Sequence, residues 1–304
     1  MRKILKKINE KFGVYLFNNS NTLNNNFFNY LYKKKIAKKT NDEEIYKFHK
    51  DGYFKTSVNS EKICEYLSKK IVEQDPVINE KRNIYFKIDD EMKKKIKDHI
   101  YSNFGDTFKK FEKYFNNKIA ISNISLKRNY YVDDVNYYKN KIRDKSKEFY
   151  NMYFHCDANT LNYFKLFISI NDIDKTQGPL TFYSIPDNRK FLKKSNYKSR
   201  NNYIDIELGC IKQNVSKRGE SLFISTPQCL HRAGIPEYGK HRDILVIVLI
   251  ATSEKINDYF HYEKNFYDEI WNRGGTSLQR VFSKPIGFRG AFSNYKKFLK
   301  SKLI

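Results

Sequence analysis

The chain has 304 residues, 40% of them hydrophobic and 16% aromatic, enough to bury a sizeable core and to exclude a wholly disordered chain. No run approaches the roughly 20 apolar residues of a membrane-spanning helix, and the longest, in "DILVIVLIATS", is strand-sized. The formal net charge of +24 invites a nucleic-acid reading, but it comes from 46 Lys against only 12 Arg, beside 32 Asn, 24 Tyr and 24 Phe; these residue types share A/T-rich codons, and the residue suited to forked phosphate and base contacts is not enriched, so nucleic acid is not the expected partner.

Residues 1–40 read as a basic extension. Ile4, Leu5, Ile8 and Phe12 share one helical face, with Lys3, Lys6, Lys7 and Lys11 around them. No continuous apolar stretch follows, so no secretory signal is read. An Asn-rich stretch and the run "KKKIAKK" complete the segment. The expectation is a helix that caps the domain or frays from it; the alternative is peripheral contact with anionic lipid.

The body is expected over residues 41–252. "NDEEIYKFHKDGYFKTSV" predicts a short helix, a turn at Asp51-Gly52 and a strand. "NSEKICEYLSKKIVEQ" predicts an amphipathic helix, capped by Asn59 or Ser60, with Ile63, Leu67 and Ile71 on one face. "DDEMKKKIKDHIYSNFGDTFKKFEKYFNN" supplies one or two more helices. Strand candidates then follow in quick succession: "AISNISLKRNYYV", "FYNMYFH", "YFKLFISIN", "PLTFYSIP", "SLFIST" and "RDILVIVLIAT". Helices first and then a run of antiparallel strands predict an α+β fold, a jelly-roll or cupin-like barrel with flanking N-terminal helices. Residues 253–304 are expected to form a helical or irregular extension, with a helix in "EKINDYFHYEKNFYDEIW". Cys64, Cys156, Cys210 and Cys229 are far apart, with no CxxC pair, and are expected to be free thiols of a cytoplasmic protein.

Three segments carry the chemistry. In "MYFHCDAN", His155 and Asp157 are two apart, which on a strand puts an imidazole and a carboxylate on one face. "QCLHRAG" adds His231 near the end of a later strand. Two histidines and one carboxylate can hold one side of an iron(II) ion and leave its other positions open. Arg242 opens an apolar strand, where a guanidinium is suited to gripping a carboxylate. Taken singly, each of these is commonly a core, loop or ion-pair residue; their combination in order is far more specific. Lys165, in "YFKLFISI", either faces the pocket toward an anionic ligand or lies on the outer barrel face. His241 and His261 fall outside the pattern.

"FHCDANTLNYFKLFISINDIDKTQGPLTFYSIP" and "GESLFISTPQCLHRAGIPEYGKHRDILVIVLI" resemble the phytanoyl-CoA dioxygenase type of iron(II)/2-oxoglutarate oxygenase, as does the earlier "FHKDGYF". The likeness spans roughly residues 45–252 and implies a double-stranded β-helix. It implies His155, Asp157 and His231 as iron ligands and Arg242 as the partner of the distal carboxylate of 2-oxoglutarate. It also implies a further co-substrate contact from Lys127, Arg128 or Asn129, on the strand before the HxD. Ala233 departs from relatives that carry a hydroxyl residue there, and Asp157 argues against halogenase chemistry. The implied activity uses iron(II), 2-oxoglutarate and dioxygen to hydroxylate an aliphatic C–H of a small-molecule or conjugated metabolite, releasing succinate and carbon dioxide. The alternatives are a barrel that keeps the triad but no longer turns over, or a basic protein that binds nucleic acid or anionic lipid.

Overall fold

The computed structural model describes residues 42–74, 83–115, 118–131, 154–157, 163–188 and 210–252. The expected N-terminal extension, the C-terminal helix and tail with His261, and most of "FYNMYFH" lie outside the described residues. Among those described, no helix is long and apolar enough to cross a membrane.

Helix α1 (Glu43–Asp51) starts where Asp42 Oδ1 accepts the Ile45 N–H at 3.0 Å. It stops at Gly52, whose φ of 86° lets its N–H close onto the Phe48 carbonyl. The same glycine leaves room for Cys229 Sγ and Ile185, which an added Cβ would strike. Strand β1 (Tyr53–Thr56) follows, then helix α2 (Glu61–Glu73), which buries Ile63, Cys64, Leu67 and Ile71. Of the two cap candidates, Ser60 occupies the cap position without a side-chain bond to the helix backbone, while Asn59 Oδ1 accepts the Glu61 N–H at 2.8 Å. After β2 (Asn83–Phe86), a single 26-residue helix α3 (Asp90–Phe115) runs through Gly105 without a break. Its buried positions Met92, Ile96, Ile100, Phe104, Phe108 and Phe111 recur every three to four residues, the spacing of one helical face.

The larger sheet takes β3 (Lys118–Tyr130), β4 (Tyr163–Ser169), β7 (Ser221–Ile224) and β9 (His241–Thr252) in the order β1-β7-β4-β9-β3-β2, with every neighbour antiparallel. The smaller sheet pairs β5 (Thr181–Phe182) with β6 (Lys212–Gln213) and β8 (His231–Arg232). Among the described residues the two sheets are separate and do not close into one barrel. Strand β5 is shorter than expected because Ser184 Oγ accepts the Asp187 N–H and Pro186 fits a first helical turn, so residues 185–188 coil instead.

Strands β4 and β9 are apolar on both faces because both faces are covered. Phe164, Leu166, Ile168, Leu245, Ile247 and Leu249 pack on the helices, in a core that includes Phe48, Phe104 and Phe111. Phe167, Ile244 and Val246 turn the other way, onto Leu180 and Phe182 at the smaller sheet. Strand β3 reconciles its two sides with a bulge between Ile121 and Asn123. Ile119 and Ile121 before the bulge, and Ile124 and Leu126 after it, all reach the helical core. Asn123, Ser125, Lys127 and Asn129 are thereby turned into the space between the sheets.

Candidate metal centre

His155 and His231 meet through an isolated antiparallel bridge in which each N–H bonds the other's carbonyl, at 3.0 and 2.9 Å. Their rings lie side by side, with centroids 4.4 Å apart. The expectation that His155 and Asp157 share a regular strand is corrected: Asp157 lies beyond the bridge, held by its N–H to the Thr226 carbonyl at 3.1 Å. The two side chains nonetheless reach the same cavity.

One donor atom from each of His155, Asp157 and His231 lies within 4.8 Å of the others, and all three residues are buried except for a rim of Asp157. Asp157 Oδ1 is 3.8 Å from His155 Nε2 and 3.9 Å from His231 Nε2. His231 Nδ1 is 2.9 Å from the Cys229 carbonyl oxygen. A carbonyl can only accept, so Nδ1 carries the proton and Nε2 keeps its lone pair toward the carboxylate. Burial alone would raise the Asp157 carboxyl, but the nearby Lys165 ammonium outweighs it and holds the carboxyl well below the usual carboxylate range.

Lys165 faces the cavity from β4, with Nζ 2.7 Å from Asp157 Oδ2. Of its two expected placements, the pocket-facing one is adopted, and the anion it meets there is Asp157.

Arg242 lines the same cavity of about 270 Å³, as do Ala233 and the three His and Asp side chains. It is 3% exposed. Nη1 donates to the Gly178 carbonyl and Nη2 to Asn129 Oδ1 at 3.1 Å, while Nε is buried with no hydrogen-bond partner among the described residues. Both acceptors are neutral, and burial pushes the guanidinium down to about 10. The carboxylate next in sequence, Asp243, points to the opposite face and accepts two 2.6 Å bonds from Arg128. His241 joins that far side, with Nε2 3.6 Å from Asp243 Oδ2.

The β3–β9 register separates the three residues left open on β3. Asn129 pairs directly opposite Arg242, so both face the cavity, and Lys127 does the same two residues earlier. Arg128 faces away and is a structural partner of Asp243.

Two glycines belong to the site without touching its cavity. A Cβ on Gly178, whose φ is 64°, would sit 2.5 Å from the Ile235 carbonyl carbon and the Pro236 nitrogen. A Cβ on Gly234 would sit 2.5 Å from the Pro179 oxygen. The segments after "KTQ" and after "HRA" therefore cross with their backbones in contact, which places the Gly178 carbonyl on Arg242. The only signal in the sequence was the pair of glycines in the quoted segments.

No family model and no curated protein matches the chain. Solved structures do. HygX from Streptomyces hygroscopicus, with nickel and 2-oxoglutarate bound, is 13% identical over 70% of this chain and 88% of that one, with a TM-score of 0.46. The non-heme alpha ketoglutarate dependent epimerase SnoN from nogalamycin biosynthesis is 10% identical over 72% and 83%, with a TM-score of 0.43. AviO1 from Streptomyces viridochromogenes Tue57 is 12% identical over 69% and 96%, also at 0.43.

Proposed function

We propose that the chain is an iron(II)- and 2-oxoglutarate-dependent oxygenase that hydroxylates an aliphatic C–H of a small or conjugated metabolite. One observation carries this reading: two imidazoles and a carboxylate converge on the wall of a cavity that also holds a buried arginine with no carboxylate partner among the described residues. The strand weave supports it. From β3 to β9 the chain places β3, β4, β7 and β9 in the larger sheet and β5, β6 and β8 in the smaller one, with the isolated bridge of His155 to His231 beside β8, an order that a double-stranded β-helix would give.

The donor set fits iron(II). Three ligands bound at about 2.1 Å and at right angles stand about 3 Å apart, so the 3.8 and 3.9 Å separations need to close by about an ångström. Two nitrogens and one oxygen on one side leave the remaining positions for other ligands. When bound, iron and 2-oxoglutarate supply oxidative decarboxylation to succinate and carbon dioxide, coupled to insertion of one oxygen of dioxygen into the substrate C–H. His155, Asp157 and His231 hold the ion, and the Cys229 carbonyl fixes the ring of His231. Arg242 takes the distal carboxylate of the co-substrate, which supplies the counter-charge that Gly178 and Asn129 do not. Phe167, Leu180, Ile244 and Val246 supply the apolar part of the cavity wall. The cytoplasm is the expected setting.

Purified protein supplied anaerobically with iron(II) and 2-oxoglutarate, then exposed to air, should form succinate slowly even without substrate. Asp157→Ala should form none. Wild type that binds iron yet never yields succinate with any metabolite extract is a binding module instead. Metabolite profiling of a deletion strain should reveal the product as the missing species one oxygen heavier than its precursor.

A further inference from the structure

We propose that Lys165 is a positioning residue that selects which oxygen of Asp157 faces the metal. The inference rests on the oxygenase reading and deepens it. Asp157 presents its two oxygens to different neighbours. Oδ1 lies 3.8 and 3.9 Å from the two imidazole Nε2 atoms, while Oδ2 lies 2.7 Å from Lys165 Nζ. The ammonium is well placed to stay there. Its side chain is 18% exposed and that of Asp157 9%. It rises from the middle of β4, a strand hydrogen-bonded on both sides, between Ile224 of β7 and Val248 of β9. Its Nζ lies 5.9 Å from the centre of the Tyr163 ring, two residues earlier on the same face.

The chemical consequence concerns coordination number. A carboxylate with both oxygens free can bind a metal through one or both. Through both, it occupies a position that a chelating co-substrate needs. With Oδ2 held by an ammonium, Asp157 would offer only Oδ1, so His155, Asp157 and His231 would hold the ion through three donors and leave the rest of its coordination to other ligands. The ammonium also balances a buried carboxylate before the metal arrives, so the site keeps its shape without it. Lys165 is therefore not available to bind an anionic substrate, and it acts through Asp157 rather than on the reacting atoms.

Two anaerobic calorimetric titrations test this, iron(II) into apoprotein and 2-oxoglutarate into the iron-loaded protein, on wild type, Lys165→Met and Lys165→Arg. Outer partners of metal ligands are typically worth 10- to 100-fold, and here the loss should fall on the co-substrate. Lys165→Met should bind 2-oxoglutarate about 10- to 100-fold more weakly while its iron affinity stays equal or rises, because a nearby positive charge has been removed. Lys165→Arg, which keeps a cationic donor, should recover most of the loss. Unchanged 2-oxoglutarate affinity in Lys165→Met, a parallel fall in iron affinity, or no recovery with Arg overturns the assignment. Should Lys165→Met not fold, Lys165→Gln takes its place in the same titrations, with the same outcomes. Wild type that binds neither iron nor 2-oxoglutarate removes the oxygenase reading itself, whereas wild type that binds both alongside a silent Lys165→Met removes only this inference.

Discussion

Replacing Arg242 by methionine separates fold from function more sharply than any other single change. In the free protein this guanidinium is 3% exposed, bonded to two neutral oxygens and, among the described residues, unpartnered at Nε. Two opposing terms follow. Losing the arginine removes its hydrogen bonds to the Gly178 carbonyl and to Asn129 Oδ1, each worth about 1–3 kcal/mol. It also removes a buried charge that has no counter-charge among the described residues, which restores several kcal/mol of desolvation cost. The terms are of similar size, so the melting temperature of the apoprotein should shift by only a few degrees, in either direction. Binding of 2-oxoglutarate has no such compensation. Truncating one partner of a buried, hydrogen-bonded charge pair costs about 2–4 kcal/mol, or roughly 30- to 1000-fold in affinity. Iron affinity should be unchanged, since the three donors are untouched. Arg242→Lys should recover only part, because an ammonium cannot make the forked contact. Anaerobic calorimetry of 2-oxoglutarate into iron-loaded protein reads the difference directly. Equal affinity for wild type and Arg242→Met would refute the reasoning and leave the arginine a purely structural residue.

Gly178→Ala should destabilise the protein by about 2–4 kcal/mol, since its positive φ disfavours a side chain and a Cβ would sit 2.5 Å from the backbone at Ile235 and Pro236; denaturant melts read the loss, and 2-oxoglutarate affinity should fall with it because the Gly178 carbonyl carries Arg242. Phe111→Ala should cost about 3–5 kcal/mol in the same melts, because Phe111 is fully buried among Phe48, Phe54, Phe164 and Phe223. Burial lowers the pKa of His99, whose ring is held between Ser60 Oγ and the Asn103 side-chain amide. Unfolded chain therefore binds more protons just below the ordinary value of 6.5, so stability should fall as pH drops through that value and level off below the folded pKa. His99→Gln should flatten that segment of a melting-temperature-against-pH curve, and an unchanged slope would show that His99 is not its source.

The elements that are long and strongly patterned could be read directly. Ile63, Leu67 and Ile71 marked α2 by their spacing of four, and the unbroken apolar run from Ile244 to Ala251 marked a strand covered on both sides. The short strands β5, β6 and β8 were not legible in full, because two residues carry no periodicity and are held by the neighbours they pair with. Strand β2 was missed for the same reason: its four residues take their register from β3.

At the candidate site the boundary between what could be read and what could not runs between local and distant geometry. His155 and Asp157 are two residues apart, a spacing that on an extended backbone puts side chains on one face, so the sequence by itself suggested that pair, and the bond from the Asp157 N–H to the Thr226 carbonyl is what holds the second of them. The sequence also supplied His231 and Arg242 as residue types suited to a metal and a carboxylate. Which of Lys127, Arg128 and Asn129 turns inward depended on the bulge after Ile121 and on the pairing of Asn129 with Arg242, more than a hundred residues away in the chain. The partner of Lys165 likewise depended on β4 lying beneath the segment that carries Asp157. The contact of Gly178 with Gly234 required two loops to cross. Alternation along a strand is a property of the backbone and travels with the sequence. Register, bulges and loop crossings are settled only when the buried faces of distant segments find one common packing, and that decision belongs to the tertiary structure.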